Sequence, residues 1–435
     1  MAAQLTSVAT FVINPGLVHA FGLSALLGYG VAAALGITLG LLLLAPRFRE
    51  QGARVQALTV PQWIGARFGS PGLRAAFAFL SLGLLAFATL IVVALALVLS
   101  NLLGQPPALL AVALVAVAVG GVVLGGATGH AWTNAVQASI MVLVALLLIG
   151  KGLPLLGGEP GLLARLAAID PNLARPVNPA SPYFRSIFEV FACNFLVGLA
   201  IVCQPHILGK ALYLREARDM RRFLGAAIAC GIAFSSVLVT GFWARLALDQ
   251  ALPIDRVIPA WIATSFSPAL QVLVSIGMLC AGLSTLEGIF LALSAILSVD
   301  VYALLGRGGA ERGALRFGRG GLVLLGIVAA GLALWQLEHP TGGSVAIFAQ
   351  YGVYLLFTGS FLPLACGMFV PRASRRLVAM GVAASVGGYV LTALFRLGPY
   401  FNNPAFLATV GIVAGWSVVG AGLLLARPRP AAPAG

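Results

Sequence analysis

Uncharged apolar runs of about twenty residues recur along the chain, each bounded by charge, proline or glycine. A helix needs about 20 apolar residues to cross roughly 30 Å of hydrocarbon, so each run predicts one membrane span. The runs are Gly22–Leu44, Ala75–Ser100, Ala108–Leu124, Trp132–Gly150, Ile187–Leu208, Phe223–Trp243, Pro268–Val299, Gly321–Leu337, Val345–Val370, Leu377–Leu394 and Phe406–Leu425. A shorter apolar piece, Ala2–Ile13, precedes these eleven. The pattern predicts an all-α, polytopic membrane protein of about 12 helices.

Between the runs lie two segments of another kind. Residues 152–185 carry six prolines, too many for one continuous helix, and predict a partly ordered cap on the outer side. Leu58–Phe68 (LTVPQWIGARF) brings Val60, Trp63, Ile64 and Phe68 near one helical face, which predicts a helix lying along the membrane surface. The N-terminus has neither a charged leading region nor a small-residue cleavage site, so no signal peptide is expected.

Composition agrees with the pattern. Of 435 residues, 60% are hydrophobic and 9% charged, against about 25% charged in soluble domains. A net charge of +14 would suggest nucleic acid in a soluble chain. Here the arginines cluster in short loops between spans, which is a topology signal. With the loop after Gly22–Leu44 taken as cytoplasmic, 19 basic residues fall inside and seven outside or near outer helix ends. This split predicts a chain in the cytoplasmic membrane with a cytoplasmic C-terminus and only the bilayer as its large partner. Cys193, Cys203, Cys230, Cys280 and Cys366 all lie in apolar segments without metal-site or disulfide spacing, and read as buried thiols.

Ionisable groups inside spans are costly and are the default functional candidates. Glu189 lies near the outer end of its run and reads as structural. Glu287 lies mid-span, with two readings open: a cavity-facing, protonatable group, or a structural carboxyl satisfied by a neighbouring helix. Ala281–Thr285 reads Ala-Gly-Leu-Ser-Thr. Its small residues suit close helix packing, and its hydroxyls and carbonyls equally suit a dehydrated cation, which needs several oxygens. Gln4–Ser7 and Asn14-Pro15-Gly16 suit an interrupted helix with exposed backbone groups. In Cys203-Gln204-Pro205-His206 the proline frees a carbonyl, and Gln204 and His206 can satisfy freed backbone. Residues 125–137 (GGATGHAWTNAVQ) predict a tight reversal leading into a helix, with no catalytic role.

Taken together, the segments LTVPQWIGARFGS, GGATGHAWTNAVQ, QPHILGKAL and STLEGIFLALSAILSVDVY resemble the sodium:solute symporter family, in the order in which that family carries them. Asn134 stands where the family usually has Asp. The resemblance implies five-plus-five helices in inverted repeat, with broken first and sixth core helices around a midplane site. It implies a first repeat over 1–153, an outer loop over 154–185, a second repeat over 186–370, and two further helices with a short tail over 371–435. Carried over residue by residue, the sodium site would use carbonyls near Ala2 and Leu5, the carbonyl of Ala281, and the hydroxyls of Ser284 and Thr285. Thr6, Ser7, Asn194, Val197 and Ile201 would border the solute, and Gln204, Pro205, His206 and Glu287 would serve gating or coupling. Relative to the family the chain starts within the first core helix, implying a truncated copy or an upstream start. Gln4 stands where some members carry an acid.

The expectation is a secondary transporter coupling a small organic solute, an organic acid or an amino-acid-like zwitterion, to Na⁺, with no organic cofactor. Proton coupling through Glu287 is an alternative, and a non-transporting sensor or partner subunit is another. An enzyme is not expected, since no phosphate loop, metal cluster or nucleophile with a matched base shares a plausible site.

Overall fold

The computed structural model describes residues 7–157, 159–214, 216–248, 252–306 and 311–425. Among them, nine helices are long and apolar enough to cross a membrane, and a bent pair makes a tenth span. In chain order we label the helices α1 (Ala9–Phe21), α2 (Leu23–Val55), α3 (Val60–Phe68), α4 (Pro71–Leu103), α5 (Pro107–Gly152), α6a (Phe188–Ile201), α6b (Pro205–Tyr213), α7 (Arg218–Ala247), α8 (Ile254–Ser265), α9 (Pro268–Leu304), α10 (Glu311–Glu338), α11 (Val345–Phe369), α12 (Arg375–Leu394) and α13 (Pro404–Leu425). Each expected full span falls, to within one residue at its ends, inside one of these helices or, for Ile187–Leu208, inside the bent pair.

Helix α5 accounts for two of the expected spans. Its 46 residues would extend about 69 Å if straight, more than twice the hydrocarbon thickness. Gly126 interrupts it at φ 57°, ψ −156°, a conformation that side-chain-bearing residues avoid. The bend brings both limbs to one carboxylate. A Cβ on Gly121 would lie 3.4 Å from Glu287 Oε1, and His130 Nδ1 lies 3.1 Å from Glu287 Oε2. The predicted reversal is therefore present as a glycine bend.

Two expectations are corrected. Helix α3 does not lie on the membrane surface: Val60, Trp63, Ile64 and Phe68 are buried within the protein. Trp63 packs against Phe48 of α2 at 5.1 Å between ring centroids, and its indole fills the space beside Gly367 of α11. The amphipathic face that suggested lipid thus finds a protein partner. Nor does Asn14-Pro15-Gly16 interrupt a helix. A π-helical widening at Ala9–Ile13 precedes a regular turn from Asn14, and the chain stays helical to Phe21. Pro15 follows directly on that π-helical turn, so its missing N–H falls where the regular i→i−4 ladder is already altered.

Close glycine contacts hold the helices around the site. A Cβ on Gly198 would lie 2.1 Å from the Ala33 carbonyl oxygen, and one on Gly36 would lie 2.2 Å from that of Phe195, so α2 and α6a approach at backbone distance. The proline-rich segment before α6a folds into short helical pieces, Leu162–Ile169 and Pro171–Ala174, as its composition predicts.

Candidate functional site

The break in the sixth span sets the geometry. Helix α6a ends at Ile201, the chain turns through Val202–Gln204, and α6b leaves at 52° from Pro205. The proline cannot donate to the preceding turn, so the Gln204 Nε2 amide donates to the Ile201 carbonyl instead, at 3.1 Å. Opposite this break lies a cavity of about 470 Å³. Ser7, Thr10 and Asn14 line it at α1, Tyr29 and Thr38 at α2, Phe87 and Leu90 at α4, Asn194, Val197, Ile201 and Gln204 at the α6 break, and Gln350 and Tyr354 at α11. Among the described residues, none lining it carries a formal charge.

Its polar groups are held by named bonds. Gln350 Nε2 donates to Tyr29 Oη at 3.0 Å, joining α11 to α2. Asn194 Nδ2 donates to the Glu189 and Val190 carbonyls at 2.8 and 3.3 Å, which a π-helical turn at Phe188–Cys193 makes reachable. With their nitrogens so used, Asn194 Oδ1 and Gln204 Oε1 are buried acceptors with no hydrogen-bond partner.

Ala281, Ser284 and Thr285 sit together on α9, all fully buried. Both hydroxyls donate to the Ala281 carbonyl, at 3.0 and 3.2 Å. Three oxygens therefore converge without a carboxylate, a donor set that fits a hard monovalent cation. Helix α9 packs against α4, with Gly282 seated on Leu95. Ala2, Leu5 and Thr6, expected to complete the two sites, lie outside the described residues.

Other expected residues divide. Ser7, Asn194, Val197, Ile201 and Gln204 come together at the cavity. Pro205 and His206 stand just beyond it, with the His206 ring 6.1 Å from that of Phe87. Glu287 does not face the cavity. It pairs with His130 at the α5 bend, a contact of the kind the structural reading expects. Glu189, read as structural, is buried between Arg185 and Asn403, at 2.7 and 2.9 Å.

The sequence reading missed Tyr29, Gln350 and Asp300. For the first two the signal was present, as lone polar side chains inside apolar runs. Asp300, fully buried, accepts from Thr59 Oγ1 at 2.6 Å and Arg74 Nε at 2.7 Å, tying α9 to α3 and α4 at the arginine-rich end. Toward the other end, Asp255 of α8 accepts from Ser344 Oγ and from Val345 N, capping α11. Burial pushes the Asp255 carboxyl above the usual carboxylate range, and those two donors oppose the shift.

Comparison with known proteins places this geometry. A solved Na⁺-coupled sialic acid symporter in its substrate-bound outward-open state superposes with a TM-score of 0.75 over 98% of this chain and 88% of its own, at 18% identity. A nucleobase-cation-symport-1 family transporter, closed with bromovinylhydantoin bound, gives 0.56 over 98% and 91%, at 16% identity. A manganese transporter of Eremococcus coleocola gives 0.56 over 97% and 93%, at 13% identity. These likenesses show the fold, an inverted-repeat helical core of the LeuT type. In sequence, the sodium/pantothenate symporter of Haemophilus influenzae is 24% identical over 182 residues, which are 41% of this chain and 37% of that protein's length. The family model for sodium:solute symporters matches residues 1–383. With the fold, the broken sixth span and that match in agreement, the chain belongs to the sodium:solute symporter family, whose members are transporters and not enzymes.

Proposed function

We propose that the chain moves a small organic solute across the membrane together with Na⁺, by alternating access around the break in the sixth span. The observation that carries this reading is an uncharged cavity bordered by amides and hydroxyls at that break. Binding there shifts an equilibrium between two openings only through contacts that differ between them. A site bounded by α1, α2, α4, α6, α7 and α11 has such contacts on several helices.

Sodium enters as co-substrate. The Ala281 carbonyl and the Ser284 and Thr285 hydroxyls are the ligands we assign from the described residues. Solute size and chemistry follow from the lining. Without a carboxylate there is no counter-charge for a cationic solute, whereas amides and hydroxyls accommodate an organic acid or a zwitterion. Pantothenate and sialic acid, carried by the two sodium-coupled relatives, are both carboxylates, which supports the acid. Proton coupling through Glu287 is the weaker reading, because that group is engaged with His130 away from the cavity.

Thermal unfolding of the purified protein in detergent, titrated with NaCl against KCl at constant ionic strength, tests the reading without a known solute, since a ligand bound only to the folded state raises its stability. A saturable rise specific to Na⁺ is expected. Identical curves in the two salts would remove sodium coupling. Uptake of labelled pantothenate into proteoliposomes, with and without an inward Na⁺ gradient, then tests the first candidate solute.

A further inference from the structure

We propose that Gln204, His206 and Lys210 form a carboxylate-binding site just beyond the cavity, on the path toward the arginine-rich end, and that the transported solute carries that carboxylate. The proposal rests on the transport reading above and names its substrate class.

Three observations carry it. The first is an accumulation of buried polar atoms without partners in seven residues of chain: Gln204 Oε1, both ring nitrogens of His206, and Lys210 Nζ. Gln204 and His206 are 1% and 2% exposed, so bulk solvent does not reach them. The second is position. Gln204 and Phe87 line the cavity, and the His206 ring stands 6.1 Å from the Phe87 ring. Lys210 follows His206 by four residues on α6b, about one helical turn further on. The third is charge. Lys210 forms no salt bridge, and no carboxylate among the described residues is paired with it.

An ammonium buried without a counter-ion destabilises the fold, and an anion that binds it offsets that cost. A carboxylate presents two acceptor oxygens. One accepts from Lys210 Nζ–H and the other from a His206 ring N–H, both short charge-assisted bonds. The Gln204 nitrogen is already committed to the Ile201 carbonyl, so its oxygen remains an acceptor, suited to a hydroxyl or N–H next to the carboxylate. Among the described residues no cation lines the cavity, so the carboxylate end of a solute entering from it is drawn toward α6b. Helix α6b also packs on α9, which bears Ala281, Ser284 and Thr285. Occupation of this site therefore bears on the helix assigned to sodium.

The test is thermal unfolding of the purified full chain in NaCl at constant ionic strength, titrated with lactate and butyrate and, separately, with lactamide and butyramide. A saturable rise with the carboxylates and none with the amides is expected. Lys210→Gln should weaken the carboxylate response about ten- to a hundredfold, the scale of a lost hydrogen bond to a charged group, while Lys210→Arg retains it. Without carboxylate, Lys210→Gln should melt at or above the parent temperature, because it removes an unpaired buried charge. The proposal is overturned by an equal response to the amides, by an undiminished response in Lys210→Gln, or by no carboxylate response where the Na⁺ response persists. It is also overturned if only inorganic phosphate or added phosphatidylglycerol stabilises the protein, which would make Lys210 a lipid contact. Loss of the Na⁺ response itself would instead remove the transport reading. Should Lys210→Gln fail to fold, the carboxylate-against-amide comparison on the parent chain and Lys210→Arg still decide.

Discussion

Single side chains at this site act through the few oxygens and nitrogens they bring into an apolar interior. Ser284 and Thr285 both donate to the Ala281 carbonyl, which gathers three oxygens within one turn of α9, the group we assign to Na⁺. Replacing either by Ala removes one oxygen without opening a large cavity. The expected result is an apparent Na⁺ affinity weakened about tenfold or more, the scale of a lost charged contact, with cooperative unfolding kept. Sodium titrations of both variants check this, and unchanged affinity in both would remove them from the site. Asp255 gives a prediction in pH. Burial raises its folded-state pKa, so between about pH 4, where an unfolded Asp titrates, and the raised value, folding takes up a proton. The ionised form therefore costs stability, and that cost appears as pH rises through this window. The parent protein should lose melting temperature relative to Asp255→Asn across that rise, and parallel curves would show that Asp255 is not the group responsible.

Elements were legible in the sequence wherever one helix's own residues decide its fate. A long apolar run is a span whatever surrounds it, and Gly126 marks the bend of α5 because its backbone angles exclude other residues. Pro205 likewise marks the break in the sixth span. What could not be read was partner choice. Thr59 and Asp300 are 241 residues apart, and His130 and Glu287 are 157 apart, so only the packed fold makes them pairs. For the same reason α3 was read as a membrane-surface helix: an amphipathic stripe shows that a face is covered but not by what. Helix packing itself makes a prediction. Gly198→Ala would set its methyl against the Ala33 carbonyl, an overpacking that costs about 1–3 kcal/mol. Gly331→Ala on α10, where nothing lies within 4 Å, should instead stabilise by about 0.5–1 kcal/mol. Melting temperatures of the two variants separate close approach from a general effect of replacing helical glycine, and equal losses would refute the α2–α6a contact.

Across the whole molecule, two sets of contacts meet at the arginine-rich end. Asp300, with Arg74 and Thr59, ties α9, α4 and α3 into one group, and Arg67 Nε adds α11 through the Gly367 carbonyl at 2.8 Å. Arg49 Nε donates to the Leu214 carbonyl at 3.0 Å, so α2 is tied to the end of α6b. Between the groups run Arg47, whose guanidinium stands 4.2 Å from the Phe369 ring centroid, and Phe48 against Trp63. On the alternating access proposed above, a movement of α2 and α6b relative to α3 and α11 would break contacts between the groups and keep those within each. An exposed cation–π contact is worth about 0.5–1 kcal/mol, enough to shift a two-state population about two- to fivefold. Cys203, fully buried beside the break, reports the opening. In a chain whose other four cysteines are replaced, Arg47→Ala should raise the rate of maleimide labelling at Cys203 about two- to fivefold, and Na⁺ should alter that rate in both proteins. Arg49→Ala, which cuts a tie within one group, should not raise it comparably. Labelling that rises equally in both variants would mean that this end loosens as a whole, and the division into two moving groups would fall.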